Sequence, residues 1–200
     1  ISVIIPVYRD WERLRLCLDA LERQTLAAEP FEIIVANNEA APRAPLKRLP
    51  ANARVVHEPR PGSYGARNAA VDASVGAYLA FTDSDCVPEH DWLEQGLAAL
   101  NANPKVRVTG PVSIFRVPGT SYYAYVYDLH TAFAQREYVS AGHCVTANLL
   151  VAREIFDLVG PFELCFSGGD TMWNWRAQAR GVPIVHDDSV RVRQICQNSV

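Results

Sequence analysis

The feature that most constrains this chain is the alternation of short apolar runs with segments whose apolar residues recur at helical spacing. Five apolar runs lie at residues 2–7, 31–36, 54–57, 78–82 and 106–112. Runs of this length between polar boundaries are typical of buried strands. The intervening segments, such as the one carrying Leu93, Leu97 and Leu100, favour amphipathic helices. The predicted fold class is therefore α/β, with right-handed crossovers and a Rossmann-like, mostly parallel central sheet covered by helices on both faces.

Polar residues follow three of the predicted strands at the point where each strand ends. Tyr8 follows the first strand, Asn37 the second and Asp83 the fourth. In sheets of this kind, ligands bind beyond the carboxyl ends of the strands. These three side chains therefore mark the predicted position of a binding site.

Composition excludes several classes of protein. A length of 200 residues suits one domain, and the net charge of -3 without a basic run argues against nucleic acid as a partner. The sequence has no apolar stretch of about 18 residues, so it contains no predicted transmembrane segment. The five cysteines include no C-x-x-C pair, which favours a reducing compartment. We therefore expect a cytoplasmic protein, and peripheral association with the inner face of the membrane stays open.

The second half of the chain is rich in tyrosine. Residues 122–127 hold four tyrosines, and Tyr138, His130 and His143 lie nearby. Such a segment predicts either a helix beside an acceptor or an aromatic helix of the core. Core packing is the favoured interpretation, because large aromatic side chains are mostly buried. Further helices are predicted at residues 153–159 and 171–180.

Asp83 and Asp85 flank Ser84 directly after a fully apolar strand. Carboxylates two residues apart in an extended chain point to the same side, where their like charges repel unless water or a cation shares them. Hard oxygen ligands suit Mg²⁺ or Mn²⁺, ions that keep open positions for phosphate oxygens. The triplet thus predicts a divalent metal site, and a solvated turn after the strand is the structural alternative.

Two further segments allow a structural and a functional interpretation. Asp170 follows Gly168 and Gly169 at the start of a predicted helix, where an aspartate is a common N-cap but can also serve as a general base for an attacking hydroxyl. Alone, this segment favours the N-cap. Arg67 lies in the glycine-containing segment 62–68, either as a surface charge or as a bidentate ligand of phosphate.

The order of these motifs resembles that of the inverting family 2 glycosyltransferases with a GT-A fold. The resemblance extends from residue 1 to about residue 193, and each motif is short. The matching segments are SVIIPVY at 2–8, FEIIV at 31–35, ARN at 66–68, DSD at 83–85, TANLLV at 146–151, VGPF at 159–162, GD at 169–170 and WR at 175–176.

The resemblance implies a single GT-A domain over residues 1–200, with a nucleotide-sugar-binding half at 1–115 and an acceptor-binding half at 116–200. It also implies transfer of a sugar, with inversion, from a UDP-, GDP- or dTDP-sugar to a carbohydrate or lipid-linked acceptor, as in polysaccharide biosynthesis. Mg²⁺ or Mn²⁺ is the implied cofactor.

On the donor side, the resemblance places Pro6 and Tyr8 beside the nucleotide base and Arg67 near the base or the diphosphate. Asn37 stands where the family usually has an aspartate that hydrogen-bonds the base. Because an amide donates as well as accepts, the family's usual preference for uridine does not follow here.

The resemblance places Asp83 and Ser84 at the donor, with Asp83 by the ribose, and Asp85 on the metal. Asp170 matches the family's catalytic base, although Gly169 precedes it where many members have glutamate. His186 is a candidate for a late histidine near the metal, and a shifted alignment would put Arg193 there instead.

Two other functions deserve comparison. An apolar strand followed by Asp-x-Asp also describes a Mg²⁺-dependent phosphohydrolase, in which Asp83 would attack, Asp85 would act as acid and Asp187–Asp188 would hold the metal. That motif normally closes the first strand, whereas here it closes the fourth. A non-catalytic nucleotide-sugar-binding module would explain Asn37 and Gly169, but the presence of Asp83, Asp85 and Asp170 argues against it.

Overall fold

A computed structural model of the chain describes residues 1–26, 30–41, 44–46, 48–131 and 134–196. The first half forms β1 (Ser2–Val7), α1 (Trp11–Leu21), β2 (Glu32–Asn37), β3 (Ala53–His57), α2 (Ser63–Ala73), β4 (Tyr78–Phe81), β5 (Cys86–Pro88) and α3 (Trp92–Ala102). The second half forms β6 (Arg107–Thr109), β7 (Val112–Phe115), α4 (Tyr122–Thr131), α5 (Gln135–Ser140), a 3-10 turn (Thr146–Asn148), β8 (Leu149–Ala152), α6 (Arg153–Val159), α7 (Gly169–Ala179), β9 (Ile184–His186) and β10 (Val192–Ile195).

The central sheet has seven strands in the order β3-β2-β1-β4-β8-β6-β9. Strands β1 to β4 pair in parallel, as do β6 and β9, while β8 runs antiparallel to both of its neighbours. The predicted α/β fold with a mostly parallel sheet is confirmed. The apolar β1 is buried along its whole length, as expected for a strand covered on both faces.

The two faces of the sheet carry separate cores. One is formed with α1 and α3 around Trp11, Leu14 and Trp92. The other is formed with α2, α6 and α7, where the rings of Phe81, Phe162 and Trp173 meet. Both layers hold the strand ends rigidly, so that the residues just beyond those ends are positioned by the sheet.

A small second sheet has the order β5-β10-β7. The single strand predicted at residues 106–112 is wrong, because the chain divides there into β6 of the large sheet and β7 of the small one. Gly110 and Pro111 lie at the division. Proline lacks the N–H that a continuous strand would use, and Gly110 packs directly on the backbone of Asp187 and Val190.

The predicted burial of the tyrosine-rich segment is also wrong. The segment forms α4, but Tyr122, Tyr123 and Tyr127 are exposed, Tyr123 at 85%. Ala124 is the buried residue of the helix. The aromatic side chains therefore form a surface and contribute little to the core.

Across the described ranges, we find no helix with the length and apolar character needed to span a membrane.

Candidate active site

The carboxyl ends of β1, β2 and β4 meet at one edge of the large sheet. Val7 is in register with Asn37, and Ile4 is in register with Phe81. The residues that follow these strands therefore lie side by side, as the sequence predicted.

Asp83 and Asp85 follow β4 on a tight turn, in which the amide of Cys86 donates to the carbonyl of Asp83 at 3.0 Å. The segment is thus a turn instead of the extended chain assumed from the sequence. Oxygens of both carboxylates still lie within 4.8 Å of each other and of the Cys86 thiol. Burial, followed by repulsion from Asp83, raises the pKa of Asp85 to about 6. Two such carboxylates fit a hard divalent cation, which would relieve their repulsion.

Gln194 holds the Asp85 carboxylate from the neighbouring strand. Its Nε2 donates to Asp85 Oδ2 at 3.0 Å, and its side chain is buried. This contact arises because β10 pairs antiparallel with β5, which puts Gln194 opposite Cys86. Sequence reasoning missed Gln194, because no local pattern reveals a pairing between residues 109 positions apart. Its neighbour Arg193 points away and pairs with Glu89 at 2.8 Å.

Arg67 reaches the aspartates from α2. Its guanidinium forms an ion pair with Asp83, and it lies 5.3 Å from the ring centre of Tyr64. The side chain of Arg67 is 5% exposed, against 29% for Asp83. The surface-charge interpretation of Arg67 is therefore wrong, because its guanidinium is buried at the edge of the sheet where β1, β2 and β4 end.

A cavity of about 770 Å³ opens at this edge. Among the predicted residues, Pro6, Tyr8, Arg67, Asp83, Ser84 and Asp85 line it. The rest of its lining includes Gln194 of β10, Arg13 of α1 and residues of the loops after β2, β3 and α6, among them Asn38, Pro61 and Phe166. The volume suits a small molecule with polar and apolar parts.

Asn37 is fully buried and does not line this cavity. Its Oδ1 accepts from the amide of Glu39 at 2.9 Å, and its Nδ2 donates to the carbonyl of Ala41 at 3.3 Å. The next residue, Asn38, is the one that faces the cavity. Asn38 donates to the carbonyls of Glu58 and Arg60 at 2.7 Å each, which ties the β2 and β3 ends together.

Asp170 lies in the first turn of α7, where Gly168 and not Asp170 is the N-cap. The N-cap interpretation is therefore wrong. The hydroxyl of Tyr64 donates to Asp170 Oδ1 at 3.0 Å, and the amide of Thr171 donates to the same oxygen at 2.9 Å. Because Tyr64 and Arg67 belong to the same helix, one continuous set of side chains links Asp83 to Asp170.

The structure does not bring His186 close to Asp83 and Asp85. His186 ends β9, three strands from β4, which corresponds to about 14 Å across the sheet. Its Nδ1 lies 3.5 Å from Asp188. Because Asp187 and Asp188 lie at the same distant place, they cannot supply the metal ligands that the phosphohydrolase alternative requires.

The arrangement as a whole combines two carboxylates for a cation, an adjacent buried arginine and a separate anchored carboxylate. A cation held by the two carboxylates, together with the arginine, can neutralise a diphosphate, and the separate carboxylate can accept a proton. The cavity at the strand-end edge, lined by Arg67, Asp83 and Asp85, suits a charged leaving group. Asp170 is not among its lining residues and connects to them through Tyr64.

Comparison with solved structures shows the same fold. The chain superposes on residues 1–349 of TarS from S. aureus with a TM-score of 0.74 and 16% identity, covering 97% of this chain and 60% of that one. It also superposes on the mannosyltransferase PcManGT from Pyrobaculum calidifontis, solved with GDP-Man and Mn²⁺, with a TM-score of 0.70 and 20% identity over 96% of this chain and 56% of that one. The GT-A fold expected from the sequence is thus confirmed.

Comparison of sequences shows the family. Glycosyltransferase AglE from Haloferax volcanii is 34% identical over 197 residues, which is 94% of this chain and 64% of AglE. Pre-mycofactocin glycosyltransferase from Mycobacterium tuberculosis is 29% identical over 96% of this chain and 44% of that protein. The chain therefore spans less than two thirds of either relative. Residues 2–160 match the family described as Glycosyl transferase family 2, and the chain belongs to that family.

Proposed function

We propose that this chain transfers a sugar from a nucleotide-diphosphate-sugar to an acceptor hydroxyl, with inversion at the anomeric carbon. The observation that carries the proposal is a connected set of side chains that leads from a candidate cation site in the cavity to an anchored carboxylate beyond its lining: Asp85, Asp83, Arg67, Tyr64 and Asp170. The family membership and the names of the relatives support the reaction class.

In this proposal, Asp85 and Asp83 hold a divalent cation, with Asp85 as the principal ligand and Asp83 also facing the ribose. Gln194 keeps the Asp85 carboxylate in place through its 3.0 Å hydrogen bond. When bound, Mg²⁺ or Mn²⁺ supplies positive charge against the diphosphate. Arg67, which pairs with Asp83, adds a second positive charge beside the cation site, and this charge stabilises the departing nucleotide. The solved complex of PcManGT with GDP-Man and Mn²⁺ supports the choice of cofactor.

The nucleotide base is proposed to lie between Pro6 and Tyr8, with Ser84 near the ribose. Asn38 faces this part of the cavity, whereas Asn37 fixes the loop behind it through bonds to Glu39 and Ala41. Asn37 therefore acts on the base through the shape of the loop. TarS has been solved with UDP and PcManGT with GDP-Man, so the fold accepts both a pyrimidine and a purine.

Asp170 is proposed as the general base. Its carboxylate takes the proton from the acceptor hydroxyl while the hydroxyl oxygen forms a bond to the anomeric carbon and the bond from that carbon to the diphosphate oxygen breaks. A single attack opposite the leaving group inverts the configuration. Positioning of the two reactants is the main contribution of the protein.

Residues 1–115 form the donor half in this proposal and residues 116–200 the acceptor half. Two exposed aromatic residues belong to this second half: Phe166, which lines the cavity, and Trp175 on α7, the helix that carries Asp170. Exposed aromatic rings suit the apolar faces of sugars. The acceptor is proposed to be a carbohydrate or a lipid-linked carbohydrate, and the reaction to belong to polysaccharide assembly in the cytoplasm, at the inner face of the membrane where the acceptor is lipid-linked.

Metal-dependent thermal stabilisation by UDP-, GDP- and dTDP-sugars tests the donor site, because a ligand that binds the folded state raises its stability by mass action. We expect one nucleotide class to stabilise the protein with Mn²⁺ and to lose this effect in Asp85→Asn. Asp157→Asn, which changes an exposed aspartate on α6, is the matched control. Sugar transfer or slow donor hydrolysis by the same sample separates an enzyme from a pure binding module. Thermal stabilisation that requires neither a metal nor the carboxylate of Asp85 would contradict the proposal.

A further inference from the structure

The Tyr64 ring packs so closely on Gly169 that no side chain would fit at position 169. A Cβ atom on Gly169 would lie 2.7–2.8 Å from three carbons of the Tyr64 ring. The ring is itself packed against Phe162, with 5.9 Å between ring centres, and against the guanidinium of Arg67. Tyr64 therefore cannot move aside without disturbing its other neighbours, so position 169 requires glycine in this chain.

The fit of the Tyr64 ring determines where its hydroxyl points. The ring is buried, and its hydroxyl reaches Asp170 Oδ1 at 3.0 Å. The amide of Thr171 donates to the same oxygen. Among the described residues, no hydrogen bond involves Asp170 Oδ2. One carboxylate oxygen is thus anchored by two donors, while the other remains available to a substrate.

We propose that Tyr64 is the positioning residue for Asp170, and that Gly169 provides the space that this role requires. The inference rests on the proposed function, in which Asp170 is the general base and therefore needs a fixed orientation. A carboxylate whose side chain can rotate presents its free oxygen to the acceptor only part of the time. The hydrogen bond from Tyr64 keeps Oδ2 directed at the acceptor and leaves Asp170 able to accept a proton.

The same tyrosine connects the base to the donor site. Arg67 lies one helical turn after Tyr64 on α2, contacts its ring and pairs with Asp83. Burial and the charge of Asp170 raise the pKa of Tyr64, so its hydroxyl stays protonated and able to donate. A movement of Arg67 on donor binding would therefore be transmitted to Asp170 through the side chain of Tyr64.

The test compares Tyr64→Phe with the intact protein. Phenylalanine keeps the ring on Gly169 and removes the hydroxyl alone, so we expect kcat to fall by about tenfold to a hundredfold, the effect of losing one hydrogen bond to a charged group. The KM for the donor should change by less than about twofold, and the melting temperature should change by no more than a few degrees. Tyr78→Phe is the matched control, because its hydroxyl bonds to Asn101 at 3.0 Å on an exposed part of the surface. An unchanged kcat in Tyr64→Phe, or a loss confined to donor KM, overturns the inference.

A double-mutant cycle tests the dependence on Gly169. Gly169→Ala should displace the Tyr64 ring and reduce kcat about as much as Tyr64→Phe does, whereas the double variant should lie within about twofold of Tyr64→Phe. If the kcat losses of the two single variants multiply in the double variant, the two residues are not coupled and this part of the inference is wrong.

Asp170→Asn is assayed in parallel. If it keeps full turnover, the base assignment of the proposed function fails; if it is inactive while Tyr64→Phe is normal, the role of Tyr64 alone fails.

Discussion

Arg67 and Asp83 form a partly buried ion pair between α2 and the turn after β4, in which the Arg67 side chain is the buried partner. Asp85 lies on the same turn, and the cation that lowers its pKa is Arg13. Arg67 therefore offsets the carboxylate of Asp83 when no metal is bound. Removing one partner of a buried pair leaves an uncompensated charge, which is strongly destabilising.

We therefore expect Arg67→Met to lower the free energy of unfolding of the metal-free protein by about 3 kcal/mol, and Mn²⁺ to recover part of the loss. Urea unfolding with and without Mn²⁺ measures both effects. Arg48→Met, which removes the largely exposed pair between Arg48 and Glu22, is the control and should change the unfolding free energy by less than about 1 kcal/mol. Equal losses in the two variants would refute the compensating role of Arg67.

The raised pKa of Asp85 predicts a pH dependence of stability. The folded carboxyl has a pKa of about 6 against an ordinary value of 3.8, so the folded state holds this proton more tightly than the unfolded state does. The contribution of Asp85 to metal-free stability should therefore fall as pH rises from about 4 to about 6, by on the order of 3 kcal/mol. Asp85→Asn should abolish this slope and unfold at higher urea concentration at pH 7. A slope that persists in the variant contradicts the assignment to Asp85.

Mn²⁺ competes with the same proton. Because a carboxylate must be deprotonated to bind a metal, the apparent affinity for Mn²⁺ should weaken by about tenfold for each pH unit below 6. Titration of Mn²⁺ followed by electron paramagnetic resonance measures this directly. Constant affinity between pH 5 and pH 7 would exclude Asp85 as a ligand.

Gln194 should affect the Mn²⁺ affinity of the proposed metal site without contributing to the core. We expect Gln194→Ala to weaken Mn²⁺ binding by about tenfold, the usual effect of removing a group that orients a metal ligand. Gln194→Glu should bind Mn²⁺ more tightly, because a third carboxylate joins the site. Arg193→Gln is the control, since successive residues of a strand face opposite sides and Arg193 pairs with Glu89. If Arg193→Gln weakens binding as much as Gln194→Ala, the assignment of Gln194 is wrong.

Gly110 should be intolerant of any side chain. A Cβ there would approach the carbonyl oxygens of Val190 and Asp187 to 2.1 and 2.4 Å, and backbone atoms cannot move aside as side-chain ends can. We expect Gly110→Ala to lower the unfolding free energy by about 3 kcal/mol. Thermal unfolding shows the loss, and a variant as stable as the parent would mean that the segment before β10 is placed differently.

Much of the donor half was predictable from the sequence, because its signals are local. The apolar runs ending before Tyr8, Asn37 and Asp83 gave three adjacent strand ends, and the parallel pairing of β1, β2 and β4 places them together. The sequence also pointed to Arg67 and Asp85, whose residue types suit phosphate and metal.

The remainder depends on pairings over long sequence distances. Gln194 reaches Asp85 only because β10 enters a second sheet, and Tyr64 reaches Asp170 across 106 positions. Sequence periodicity carries no information about such contacts. The tyrosines of α4 were predicted wrongly for a different reason. Aromatic residues are often buried, but here Tyr122, Tyr123 and Tyr127 lie at the surface while the small Ala124 is buried.

Single-turnover transfer by Asp170→Asn, measured at saturating donor and Mn²⁺, tests the central claim most directly. Asparagine keeps the shape of the side chain but cannot take a proton, so we predict that the rate falls by at least about a hundredfold while Mn²⁺-dependent stabilisation by the donor is retained. Transfer at the rate of the unaltered protein, with inverted product, would contradict the account.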